Sequence, residues 1–139
     1  MGASRWLLLL AMIVTGCSNE PKLVQLSGKV TFKGKPVPAG YITLTPDVAS
    51  GTLGQTVGFQ IENGAYDSNK ETPPGIGPGV YKVMIAGFDG KKIPMFGQGK
   101  QIFNPIEQQL TVSEGTVTQD FTIPESAGEN VRIQPTADS

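Results

Sequence analysis

The sequence predicts an all-β chain, a single antiparallel Greek-key β-sandwich of about seven short strands, and three observations carry that expectation. Apolar residues recur at every second position in several separate runs, the period of a half-buried strand. Turn residues punctuate the runs, most plainly at Lys33-Gly34-Lys35-Pro36, Glu62-Asn63-Gly64 and Ser113-Glu114-Gly115. Eighteen Gly and 11 Pro in 139 residues disfavour long helices, and no apolar stripe at helical spacing competes.

Val24, Leu26, Gly28, Val30 and Phe32 share one face of the first strand, with Gln25, Ser27, Lys29 and Thr31 on the other. The turn at 33–36 leads to Tyr41-Ile42-Thr43-Leu44-Thr45, β-branched and aromatic, so a hairpin-like connection between these two strands is expected. Val57, Phe59 and Ile61 alternate next, Asn63-Gly64 has tight-turn chemistry, and Ala65-Tyr66-Asp67 returns as a short strand. After the Pro/Gly-rich stretch 72–79, Tyr81, Val83 and Ile85 point one way and Lys82 the other, with Met84 semi-buried, as in a central strand. Residues 86–107 lack sustained periodicity and hold four Gly and two Pro, the mark of a long excursion over the surface. Leu110 and Val112, then Val117, Gln119, Phe121 and Ile123, close the pattern as a last hairpin. The folded domain spans 23–123, and 124–139 is a polar, loose tail.

One domain is what 14.7 kDa accommodates. Lys and Arg number 11 against 12 Asp and Glu, a formal charge of -1, so no strong field favours nucleic acid as a partner. The chain has no histidine and one cysteine. That removes histidine acid/base catalysis, histidine metal sites, thiolate zinc clusters and intrachain disulfides together.

Residues 1–17, MGASRWLLLLAMIVTGC, place one cation, Arg5, before an apolar run from Trp6 to Val14, with small residues ahead of Cys17. This is the plan of an export signal, and a run of nine residues is far short of the roughly 20 that cross a bilayer as a helix. Val14-Thr15-Gly16-Cys17 resembles a bacterial lipobox. The resemblance implies cleavage between Gly16 and Cys17, a diacylglyceryl group on the Cys17 thiol and acylation of its new amine. Residues 1–16 are then the signal, and 17–22 the lipidated cysteine and a short polar tether. Acyl chains contribute about 0.8 kcal/mol per buried CH₂, so the membrane itself is an expected partner through the lipid on Cys17. Thr15 departs mildly from the commonest lipobox pattern.

The run from Leu26 to Pro46, LSGKVTFKGKPVPAGYITLTP, resembles the opening of carboxypeptidase regulatory-like domains, of the transthyretin-like or prealbumin-like β-sandwich class. Asn63-Gly64-Ala65-Tyr66 is similar to a later turn of that pattern, and Pro74-Gly75 through Gly79-Val80-Tyr81-Lys82-Val83 to another. Together these matches cover most of 23–123, and the likeness is close to small secreted lipoproteins of this type. The regulatory-like module is an accessory domain without zinc ligands, so the resemblance implies no peptidase activity.

The carboxylates Asp47, Glu62, Asp67, Glu71, Asp89, Glu107 and Glu114 are scattered over loops and turns without calcium-loop spacing, and no metal site or cofactor is expected. Ser27, Ser50, Ser68, Ser113 and Ser126 lack a histidine partner and a nucleophile-elbow setting. Lys29 and Asp120 sit near the right chain ends for an isopeptide crosslink, but both fall on the outward phase of their strands, whereas that reaction needs a dry interior. The candidates for contact are Phe88, Ile93, Met95, Phe96 and Phe103 in the 86–107 excursion, an apolar set that either forms an exposed patch or folds back as a satellite core. The expected function is a non-enzymatic, lipid-anchored structural or protein-interaction module of the cell envelope. It would sit on the extracytoplasmic side of a bacterial membrane, at the outer membrane or the periplasmic face. A peptide- or carbohydrate-binding module working through the 86–107 loop face is the alternative, so an envelope protein or a glycan is the expected partner.

Overall fold

The computed structural model describes residue 16 and residues 22–72, 74–95 and 97–131. The signal run 1–15, Cys17, most of the tether, Phe96 and residues 132–139 lie outside the described residues. The fold is all-β, as the alternation predicts. Its strands are β1 (Gln25–Phe32), β2 (Lys35–Pro36), β3 (Ala39–Pro46), β4 (Val57–Glu62), β5 (Ala65–Asp67), β6 (Gly79–Phe88), β7 (Ile106–Val112), β8 (Thr116–Thr118) and β9 (Phe121–Ile123). They follow the spatial order β2-β1-β5-β4-β3-β6-β7, with β8 and β9 beside β1, and the sheet curls into a half-barrel consistent with a β-sandwich.

The period of two builds the core. Leu26, Val30, Ile42, Leu44, Val83 and Ile85 have no exposed surface, and Phe59, Ile61, Tyr81, Phe121 and Ile123 are within 3% of none. β6 lies between β3 and β7, the central position expected of it, although Met84 is 41% exposed on the outer face. Lys33 and Gly34 (φ 52° and 72°) and Asn63 and Gly64 (φ 50° and 76°) are all left-handed. That backbone matches the twist of a hairpin, and Gly and Asn adopt it at least cost.

Two pairings differ from expectation. β1 and β3 do not form a hairpin: after the Lys33-Gly34 turn, β2 pairs back on β1 for two residues, and the chain then crosses so that β3 pairs with β4 and β6. β7 and β8 do not form one either. β8 and β9 run parallel to β1, with Leu26 opposite Val117 and Val30 opposite Phe121. Residues 124–129 pack back on the domain where the sequence reads as a loose tail. Residues 125–128 form a 3-10 turn, Ala127 lies against the core, and the Asn104 amide donates to the Ala127 carbonyl at 2.7 Å.

The join between β8 and β9 has its own chemistry. A regular parallel ladder would send both polar groups of Gln119 to β1. The Gln119 N–H does donate to the Ser27 carbonyl, at 2.8 Å. The Lys29 N–H goes instead to Asp120 Oδ1 at 2.8 Å, which frees the Gln119 carbonyl to turn inward and accept from the Tyr66 hydroxyl at 2.5 Å. Gly28 makes room for this: a Cβ there would lie 1.9 Å from the Gln119 oxygen. Lys29 and Asp120 are both exposed, so their meeting is a hydrogen bond from the Lys29 backbone N–H to the Asp120 carboxylate in a wet setting.

The half-barrel has two distinct ends. At one lie the start of β1, the β3–β4 connection and the start of β6, since Val24 bridges Ile76 and Pro46 pairs with Tyr81. At the other, Ala39 lies between Glu62 and Phe88, bringing together the two tight turns and the 89–105 loop.

Candidate functional site

The loop between β6 and β7 is the excursion expected from the sequence, and hydrogen bonds stiffen its base. Phe88 bridges Gln101, Asp89 N–H donates to the Lys100 carbonyl and Gly90 N–H to the Gln98 carbonyl, both at 2.9 Å, and Ile102 N–H returns to the Gly87 carbonyl at 3.0 Å. Asp89 Oδ1 accepts from the backbone amides of Lys91 at 2.9 Å and Lys100 at 3.1 Å. Its carboxylate therefore ties the two legs together. Gly99 is required between them: its φ is +92° and a Cβ would lie 1.9 Å from that same oxygen. On the outer face the Gln98 amide donates to the Tyr41 hydroxyl, and the Tyr41 ring meets Phe88 edge-on at 6.2 Å.

This framework divides the predicted contact residues. Phe103 has no exposed surface. It tilts against Phe32 at 5.2 Å beneath Gly87, whose absent Cβ would meet its ring at 2.3 Å. It is a core residue, and its removal from the contact set is a correction. Phe88 is half-buried and engaged with Tyr41. Ile93 and Met95 are 40% and 95% exposed, and Met95 holds a left-handed backbone at φ 77°. Phe96 lies outside the described residues, as does Cys17; Gly16 is exposed. The described tip is therefore Ile93 and Met95, flanked by the exposed cations Lys91, Lys92 and Lys100. Those lysines are plain in the sequence, but only the loop's return over 97–102 brings Lys100 beside the first two.

Among the described residues two hydroxyls and one carboxyl have perturbed ionisation, none of them at the tip. Burial, reinforced by the Asp120 charge, pushes the Tyr66 hydroxyl well above its ordinary value, and burial raises Tyr81. The Ser50 hydroxyl bonds Asp47 at 2.7 Å and holds its carboxyl below the usual range. Among the described residues no group of three or more His, Cys, Asp and Glu side chains is placed to hold a metal ion, and no helix is long and apolar enough to cross a membrane. Comparison with protein-family models, curated proteins and solved structures finds no match for this chain.

Proposed function

We propose that the chain is a non-enzymatic β-sandwich, lipid-anchored through Cys17 on the extracytoplasmic side of a bacterial membrane, that presents the 91–97 tip to a protein of the cell envelope. The single observation that carries this reading is the opposition of the two ends. The chain enters β1 at one end, and the braced loop lies at the other, its Lys92, Gly97 and Gln98 lining one hollow with Pro38, Ala39 and Gln60 and its Ile93 and Met95 exposed. A lipid on Cys17, six residues before Leu23 and so within about 20 Å of it, leaves the tip on the side away from the bilayer. Confinement to a surface raises the tip's effective concentration for neighbours in the same envelope. The lipobox-like residues 14–17 and the resemblance to carboxypeptidase regulatory-like lipoproteins support the same reading. The tip's chemistry, two apolar side chains among three lysines, suits a partner with an apolar pocket rimmed by acids.

The test places a photo-crosslinking amino acid at position 95 in cells and pairs it with Cys17→Ser. One envelope protein recurring in the position-95 crosslinks, together with loss of the chain from the membrane fraction in Cys17→Ser, is the expected result. Membrane retention of Cys17→Ser would overturn the anchor. Crosslinks no different from those of a probe at Thr43, on the outer face of β3, would overturn the tip.

A further inference from the structure

The sheet has a split. β4 pairs with β3 through six residues, from Val57 to Glu62, but with β5 only at Glu62 and Ala65. Beyond that point β5 goes to β1, and among the described residues no strand continues along β4. The phase of the ladder says which groups face the gap. The Asn63 N–H donates to the Pro38 carbonyl at 2.9 Å, so residues 57, 59 and 61 exchange bonds with β3, while Gly58 and Gln60 point their backbone groups the other way. The Gln60 N–H confirms the phase by donating across the gap to Glu71 Oε1 at 3.1 Å. A side-chain carboxylate thus stands where the carbonyl of a neighbouring strand would stand.

The gap is a groove in two parts, with Glu71 lining both. The larger, of about 510 Å³, is walled by Leu23, Leu53 and Val57 and floored by Phe59, Ile76 and Tyr81. Leu23 and Leu53 are 50% and 84% exposed at its rim. The smaller, of about 260 Å³, carries Glu62, Asp67 and Glu71 against Lys70 alone. An unpaired strand edge with an apolar floor and an acidic wall matches one kind of occupant.

We propose that this split is a docking groove for an extended peptide segment that adds to β4 as a strand. A peptide carbonyl takes the Gln60 N–H from Glu71, a further pair of bonds forms at Gly58, alternate apolar side chains settle against Leu23, Leu53 and Val57 above the buried Phe59, Ile76 and Tyr81, and the intervening Lys or Arg side chains face Glu62, Asp67 and Glu71. Strand addition draws affinity from main-chain bonds and specificity from alternate pockets. The groove uses neither Cys17 nor the 91–97 tip, so it stands or falls separately from the function proposed above.

The probe is acetyl-Lys-Val-Lys-Val-Lys-Val-Lys-amide, titrated into the full-length chain while amide hydrogen exchange is followed by NMR. The expected result is saturable binding that slows exchange at Gly58 and Gln60 by at least about tenfold. Two further peptides carry backbone N-methyl groups on alternate residues, in opposite phase. The phase that blocks the edge should weaken binding at least about tenfold while the other changes it by less than about twofold. Gly58→Pro removes the edge donor without touching the β3 ladder, a substitution that edges tolerate, and should abolish binding with the fold retained. If it lowers the melting temperature, the N-methyl pair decides alone. Unchanged exchange at Gly58 and Gln60 in saturating peptide, equal loss from both N-methyl phases, or equal binding by a peptide of the same composition without alternation would each overturn the proposal.

Discussion

Tyr66→Phe isolates one hydrogen bond at the point where β8 gives way to β9. The ring remains, stacked on Phe59 at 6.1 Å and tilted on Phe121 at 5.8 Å, so apolar packing is conserved. What goes is the hydroxyl that donates to the Gln119 carbonyl. That carbonyl has left its place in the ladder, which Asp120 Oδ1 fills, so it has no backbone donor to fall back on. An ordinary hydrogen bond contributes about 1 kcal/mol net, and an acceptor left without a donor costs about 1–3 kcal/mol. Gln119 is only half-buried, but the Phe59 and Phe121 rings packed on Tyr66 crowd water out of the vacated hydroxyl position, so the loss lies in that range. For a domain of this size that is a fall in Tm of about 4–12 °C. Tyr81→Phe is the control: its hydroxyl donates to the Gly77 carbonyl at 2.7 Å, but Gly77 is half-exposed, water replaces the donor, and the loss should be under about 1 kcal/mol. Urea unfolding of both variants checks the ordering. A Tyr66→Phe loss no larger than that of Tyr81→Phe would refute the account of the join.

The other predictions rest on the same packing. Gly28→Ala sets a methyl against the Gln119 carbonyl, where 1.9 Å is available. It should cost more than about 3 kcal/mol and raise hydrogen exchange at Lys29 and Gln119, whereas Gly34→Ala, in open space at φ +72°, should cost about 1 kcal/mol. Phe103→Ala empties a core site and should cost about 3–5 kcal/mol, while Met95→Ser should leave Tm within about 1 °C and reduce only the envelope crosslink made by a probe at position 93. At high pH, Tyr66 and Tyr81 keep their protons in the fold while the unfolded chain releases them near the ordinary value of 10.0. Their contribution to stability is therefore full below about pH 10 and is lost above it, and urea melts from about pH 8 to about pH 11 should show the fall shrinking in Tyr66→Phe.

The part of this fold that was legible in the sequence is the part that short stretches of chain decide for themselves. A period of two says which side chains turn inward, and the Leu26–Val30, Phe59–Ile61 and Tyr81–Ile85 faces are all buried as read. Gly34 and Asn63-Gly64 announce left-handed turns because few other residues take that backbone cheaply. Partner choice is another matter. Alternation specifies a face but not a neighbour, so the same pattern suits a β1–β3 hairpin or the crossover that occurs. A parallel bond between β1 and β9 joins residues 91 apart in the chain, Val30 and Phe121, a distance across which no local signal operates. Phe103 shows the same limit within the candidate site. It sits in an aperiodic loop beside Ile93 and Met95, and only the cavity left by Gly87 and the Phe32 ring draws it into the core. Gly28 was legible as an inward-facing strand position with no side chain to bury. Its reason, an inward-turned carbonyl from the far end of the chain and a tyrosine hydroxyl to receive it, exists only once three distant segments have met, because burial and hydrogen-bond satisfaction are properties of the assembled core.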